Sequence, residues 1–306
     1  MPDPTEFVIT AAFGTAFGVF VITAVARKLL KENGAPALEL TNALPDVDSP
    51  YQAPEVHDLQ PLPPSGRVST SHYQPIDLLG IGFIYSVFFS LVIGTIRASG
   101  KTEHVIRVDS IIQSIVFQFI TAGIVTAFVI SRIRPVVWLG LKWSDWRWVF
   151  LIAPSTVMVM LLFFSGLQFS GFMKWIESFG IETVQNSVKM LQTSNDPALL
   201  GLMVIAAVIV APICEEIVFR GYFYSASKKF AGPWAAGLCS ALVFGAAHGD
   251  FAALLPLFVF GCVLAYIYEK TGSLWAPVAV HCSFNGTTVV IQMIARYYKL
   301  PLDGVS

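Results

Sequence analysis

Eight stretches of this 306-residue chain contain no Asp, Glu, Lys or Arg: residues 7–26, 78–96, 111–130, 149–167, 199–213, 234–247, 251–268 and 274–294. Most approach the ~20 residues that carry a helix across ~30 Å of hydrocarbon, where every backbone polar group must be satisfied within its own segment. Composition points the same way. Hydrophobic residues make up 55% and charged residues 13%, the latter about half the usual ~25% share. No soluble interior can hide so many apolar side chains, so the expected fold class is an all-α, polytopic membrane helix bundle of about eight transmembrane helices. The fifth and sixth stretches are short as written. Each has to be extended through its polar end, and the alternative for these two is a buried helix that does not span. The net charge of -1 gives no footing for a nucleic-acid partner.

The charges outside the stretches set an expected topology. Residues 1–31 form an amino-terminal anchor: the apolar run follows an acidic start and precedes Arg27, Lys28 and Lys31, the reverse of a cleaved signal. With eight spans and the amino terminus outside, eleven basic residues fall on one side and seven on the other, leaving Arg220 within a span. The richer side is expected in the cytoplasm of a multi-pass cell-membrane protein. Residues 32–77, with the run Gln60-Pro-Leu-Pro-Pro64, read as a Pro-rich flexible cytoplasmic linker; a partner for proline-rich segments is the alternative. Residues 78–198 hold the second to fourth spans and an amphipathic stretch over 169–190, expected at the membrane interface or packed on the bundle. Residues 199–296 form the core that carries the chemistry. The four cysteines, Cys214, Cys239, Cys262 and Cys282, fall in or beside spans and read as small buried hydrophobes.

Ionisable groups inside apolar helix cost at least ~2.5 to 3.5 kcal/mol each, and their default reading is a site facing the bundle interior. Three places qualify: Ala-Pro-Ile-Cys-Glu215-Glu216-Ile-Val-Phe-Arg220-Gly, Phe244-Gly-Ala-Ala-His248 and His281-Cys-Ser-Phe-Asn285. Glu216 and Arg220 are four apart on one helix face and can neutralise each other; Glu215 points elsewhere. Phe244 lies one turn from His248, and His281 one turn from Asn285. A turn near Gly232-Pro233 puts Glu215 and His248 at similar depth, about 17 and 16 residues from it at 1.5 Å each. A carboxylate removed from water holds a proton more readily and serves as a general base near neutral pH, so Glu215 with His248 could activate water. His281 and Asn285 could donate to a developing oxyanion. The metal alternative has Glu215, His248 and His281 holding zinc with water as the fourth ligand; nothing in the spacing selects it over a cofactor-free site.

These three segments, in order on separate apolar helices, resemble the motifs of the CPBP intramembrane proteases, the group that includes the CAAX prenyl endopeptidases: Glu-Glu-x-x-x-Arg, Phe-x-x-x-His and His-x-x-x-Asn. The resemblance covers roughly residues 199–294. It implies an endopeptidase of about eight helices whose cavity opens to the cytoplasm, acting on a membrane-associated or lipidated peptide or protein. It implies Glu215 as the water-activating base assisted by His248, His281 and Asn285 at the oxyanion, and Glu216, Arg220 and Phe244 in support; it leaves a glutamate or a metallo mechanism open. The tail 303–306 has no Cys four from its end, so self-processing of a prenyl motif is not expected. Two other classes compete. A proton-coupled transporter would need counterparts of the motif helices in the first four spans, which hold none. A non-catalytic scaffold or immunity protein of the same fold would share every motif.

Overall fold

The computed structural model of the chain describes residues 3–33, 68–99, 107–143 and 145–299. The described residues form helices and no strands. In chain order these are α1 (Pro4–Asn33), α2 (Asp77–Ser99), α3 (Val108–Ile130), the single turn α4 (Pro135–Trp138), α5 (Val149–Phe169), α6 (Phe172–Glu177) and α7 (Asn186–Thr193). A 35-residue helix follows, α8 (Pro197–Ala231). The last three are α9 (Pro233–Ala246), α10 (Phe251–Thr271) and α11 (Trp275–Tyr297).

Seven described helices are long and apolar enough to cross a membrane: α1, α2, α3, α5 with the turn before it, α8, α10 and α11. The chain is therefore an all-α polytopic bundle. The two short stretches resolve differently. The fifth is extended well past its charges into α8, the longest helix. The sixth remains α9, of 14 residues, which at 1.5 Å each gives about 21 Å and falls short of ~30 Å. Local sequence explains the boundaries. The Asp196 carboxylate caps α8 by accepting from the Ala198 and Leu199 amides, with Pro197 opening the first turn. Gly232, at φ 85, ends α8, and Pro233 begins α9, the turn the sequence indicates.

The core is continuous from α1 to α11. Ile9, Ala12, Phe13 and Ala16, at helical spacing, are buried, and α1 lies along α9, where Cys239 Sγ reaches Ala16 O at 3.2 Å. The first helix is thus part of the bundle and more than a tether. On α5 the outward side chains Phe150, Val159 and Leu162 stay exposed, as a lipid-facing surface does. The 169–190 stretch takes the packed alternative in part: Met173 and Ile176 bury against Ala252, while Trp175 and Phe179 remain about half exposed.

Most of the 32–77 linker lies outside the described residues, but its end is docked rather than free. Lys228 Nζ donates to Val68 O at 2.9 Å and to Glu269 Oε1 at 2.6 Å. The buried Asp77 carboxylate receives Arg132 on both oxygens, the Gln74 amide at 2.7 Å and the Tyr222 hydroxyl at 3.1 Å. Gly80 permits this approach, since a Cβ there would stand 1.8 Å from Tyr222 Oη. Burial and the Arg132 guanidinium hold the neighbouring His72 imidazole below its ordinary range. These contacts close the end of the bundle at which α1 and α8 finish.

Candidate active site

The site is built on irregularities of α8. Ala206–Val210 and Ile217–Tyr224 are wound wider, with i→i+5 bonding, and Ala211–Glu216 between them is ordinary helix. Pro212 explains the first. It brings no N–H to the carbonyl five residues back, Ala207, and Asn285 replaces it, donating from Nδ2 to Ala207 O at 2.8 Å. Along the second, side chains take up carbonyls. Ser240 Oγ donates to Phe219 O at 3.0 Å and Ser225 Oγ to Arg220 O at 2.9 Å. Gly221 O accepts from Tyr73 Oη at 2.8 Å and Trp138 Nε1 at 3.0 Å. Wide turns of this kind cluster at functional sites because they re-aim side chains without ending the helix.

Glu216 and Arg220 are both fully buried and pair at 2.8 Å, as their spacing indicates. Arg220 Nη2 also donates to Gly261 O at 3.2 Å, and its guanidinium carbon lies 4.4 Å from the centre of the Phe244 ring, a cation–π contact in a dry setting. His281 Nδ1 stands 2.9 Å from Glu216 Oε1. A carboxylate oxygen already accepting from arginine accepts here too, so Nδ1 donates and Nε2 is the nitrogen turned to Glu215, with Oε2 at 3.9 Å. Arg220, Glu216, His281 and Glu215 thus form one chain across α8 and α11.

His248 approaches from the turn after α9. Its Nδ1 is 2.9 Å from Phe244 O; a carbonyl oxygen only accepts, so Nδ1 donates and Nε2 keeps its lone pair. The Phe244 ring fixes the assembly, edge to face with His248 at 5.1 Å and with His281 at 5.8 Å between centroids. Sequence spacing relates Phe244 only to His248; its contact with three charged or titratable groups comes from tertiary packing.

Glu215 and His248 share a cavity of about 300 Å³, whose other polar walls are Ser114, Gln118 and Thr121 of α3, with Phe88 and Leu91 of α2 opposite. The cavity lies in the half of the bundle toward Ser99 and Val108. The α2 and α3 residues are those that sequence reasoning missed, because their helices hold no charge and no motif. The polar positions 114, 118 and 121 at helical spacing are the one signal that could have found them. His281 and Asn285 are not among the residues lining this cavity: one is turned to the two glutamates, the other to Ala207. Zinc on Glu215, His248 and His281 is the alternative to a cofactor-free site. Among the described residues no group of three His, Cys, Asp or Glu is arranged to hold a metal ion.

Fold and site together define a polytopic helical membrane protein with a carboxylate–histidine cluster facing an open cavity between its helices. Comparison with known proteins is specific for the helices that carry this cluster. Residues 197–287 match the family described as type II CAAX prenyl endopeptidase Rce1-like. Over 92 residues the chain is 36% identical to the putative membrane peptidase YdiL of Bacillus subtilis, covering 30% of this chain and 38% of that protein. It is 32% identical to the membrane-embedded CAAX protease MroQ of Staphylococcus aureus over 92 residues, 28% of this chain and 37% of that one. The matched region therefore spans well under half of each curated relative. No solved structure matches. The likeness lies in residues 197–287, the stretch that holds Glu215, Glu216, Arg220, Phe244, His248, His281 and Asn285.

Proposed function

We propose that the protein is an intramembrane endopeptidase that hydrolyses a peptide bond of a membrane-associated or lipidated peptide or protein. The observation that carries this reading is the placing of Glu215 and His248 in one cavity, with the Glu216–Arg220 pair and His281 behind Glu215. In this mechanism Glu215 removes a proton from water, whose oxygen attacks the substrate carbonyl, and His248 Nε2 holds that water by accepting its second proton in a hydrogen bond. As the tetrahedral intermediate collapses, the C–N bond breaks and the proton on Glu215 passes to the leaving nitrogen. Glu216 fixes the orientation of the His281 ring, whose Nε2 stands 3.9 Å from Glu215 Oε2, so His281 is packed behind the base. Asn285 braces the wide turn beneath it. Both roles are read in place of the oxyanion assignment the resemblance implies because neither side chain lines the cavity; one of the two Asn285 N–H groups is spent on Ala207 O.

Comparing membrane proteomes of cells making the wild-type and the Glu215→Gln protein tests this reading and names the substrate. Cleaved products present with the first and absent with the second are expected; identical proteomes overturn it. The reaction as proposed has no metal. Active purified protein is expected to keep its activity through chelation, and stoichiometric zinc that tracks activity would contradict this. Cytoplasmic access is also a proposal. It requires the end bearing Ser99 and Arg107 to face inward, against the larger count of basic residues at the other end. An Arg107→Cys protein is then expected to resist a membrane-impermeant maleimide until cells are opened. Labelling of intact cells above the wild-type background would leave the charge-based orientation standing instead.

A further inference from the structure

Residues 131–143, which lead from α3 toward α5, are fastened as a bracket on the closed end of the bundle. Trp138 Nε1 donates to Gly221 O at 3.0 Å, in the wide part of α8. The Leu274 amide donates to Leu139 O at 2.9 Å, just before α11 begins. Gly140, at φ 61, is pressed so closely on the turn between α10 and α11 that a Cβ there would stand 1.8 Å from Gly272 O. The bracket also carries an open hollow of about 440 Å³, lined by Arg134, Val136, Val137, Gly140 and Lys142.

The lining combines two properties that rarely share a protein surface without a ligand in common. Arg132, the other basic residue of the bracket, is taken up by Asp77, whereas Arg134 and Lys142 are exposed and have no hydrogen bond or ion pair among the described residues. Val136 and Val137 between them are exposed as well. The depth is also informative. One apolar span ends at Ile130 and the next begins at Trp146, so the hollow lies where hydrocarbon gives way to headgroups. Trp146 and Trp148, both exposed, stand where an interfacial aromatic belt places tryptophan. Two unneutralised cations beside exposed methyl groups, at that level, complement a ligand anionic at one end and apolar at the other. Arginine's forked donors with a lysine nearby suit a phosphate, and basic pockets at the ends of membrane helices take phospholipid headgroups.

We propose that this hollow is a binding site for an anionic phospholipid, with Arg134 and Lys142 holding its phosphate and Val136 and Val137 lying against the upper part of its acyl chains. The site lies outside residues 197–287 and is independent of the peptidase reading. Because Trp138 and Leu139 tie the bracket to α8 and to the start of α11, a lipid bound there braces the closed end and stabilises the folded protein.

The test uses the full chain, delipidated in a maltoside detergent and titrated with dioleoyl phosphatidylglycerol while its melting temperature is followed. Dioleoyl phosphatidylcholine and inorganic phosphate, at the same concentrations, are the comparison arms. A saturable rise with phosphatidylglycerol and none with the other two is expected. An equal rise with phosphatidylcholine overturns the proposal, and so does inorganic phosphate that reproduces the whole shift, since the ligand is then a free ion. The double variant Arg134→Gln/Lys142→Gln should bind phosphatidylglycerol about 25-fold more weakly, about fivefold for each basic residue. Lys31→Gln/Lys229→Gln, which removes two exposed cations from the same end, should change the affinity by less than about threefold. Equal weakening in the two double variants makes the effect one of overall charge and overturns the site. Should the Arg134/Lys142 variant melt early, affinity is read from quenching of tryptophan fluorescence by phosphatidylglycerol brominated on its acyl chains. The charge-preserving Arg134→Lys/Lys142→Arg protein should then bind more tightly than the neutral one, and equal affinity in these two overturns the proposal.

Discussion

Two arginines of this bundle pair with buried carboxylates among the described residues, and the two pairs are built on opposite plans. At the closed end, Asp77 receives Arg132 on both oxygens, and further bonds from Gln74 and Tyr222 leave neither oxygen idle; the arginine side chain is 17% exposed. In mid-bundle, Glu216 meets Arg220 and His281 through Oε1, while Glu216 Oε2 and Arg220 Nε are buried without hydrogen-bond partners among the described residues. A fully satisfied buried network fastens helices and does little else. One left partly satisfied in a low-dielectric interior keeps polarity available for a neighbour. The first pair therefore reads as a fastener. The second is an electrostatic support whose consequence falls on His281 and Glu215.

Substitutions can break this contrast, and the largest effect is chemical. Glu215→Gln keeps the shape and removes the base, so cleavage should fall to background, a loss of at least ~10² in kcat, with insertion and melting temperature preserved. Retained turnover would end the mechanism. Next comes Arg220→Ala, which leaves Glu216 as an uncompensated buried charge at a cost of about 3–5 kcal/mol. Low yield in membranes and early melting should accompany lost activity, as read by size-exclusion profile and thermal shift. Asp77→Asn strikes the other pair. Arg132 can turn to water, so the loss should be about 1–3 kcal/mol, seen as a lower melting temperature with KM and kcat nearly unchanged in the protein that remains folded; a kcat defect as large as that of the Arg220 variant would erase the distinction. The smallest effect is expected from Asn285→Ala. Removing one interhelical hydrogen bond in a membrane bundle costs about 0.6–1.7 kcal/mol, and a loss of kcat with no change in melting would return Asn285 to the oxyanion.

The contrast also shows where sequence reasoning is strong. Glu216 and Arg220 are four apart on one helix, and helix geometry alone fixes their pairing. Asp77 and Arg132 are 55 residues apart, at the ends of two helices, and each read as an ordinary charge beside an apolar span. Ser114, Gln118 and Thr121 carry only a faint signal for a related reason: uncharged polar residues in an apolar span break no rule of composition, and only their helical spacing marks the cavity wall. The contact between His281 and Glu216 was hidden in another way. Spacing tied His281 to Asn285, but the orientation of its ring is set by Glu216, which reaches it only when α8 and α11 pack.

The sequence by itself determined that the chain crosses the membrane repeatedly, which helices carry buried charge and which residues can do chemistry, because dehydrating a charge or an unpaired peptide group is expensive wherever it occurs and the pattern shows it. Tertiary structure alone decided which carboxylate meets which histidine, that Pro212 and the wide turns of α8 are braced by Asn285, Tyr73 and Trp138, and that α3 walls the cavity. Those outcomes depend on distances of about 3 Å between residues far apart in the chain, and no one-dimensional pattern encodes them.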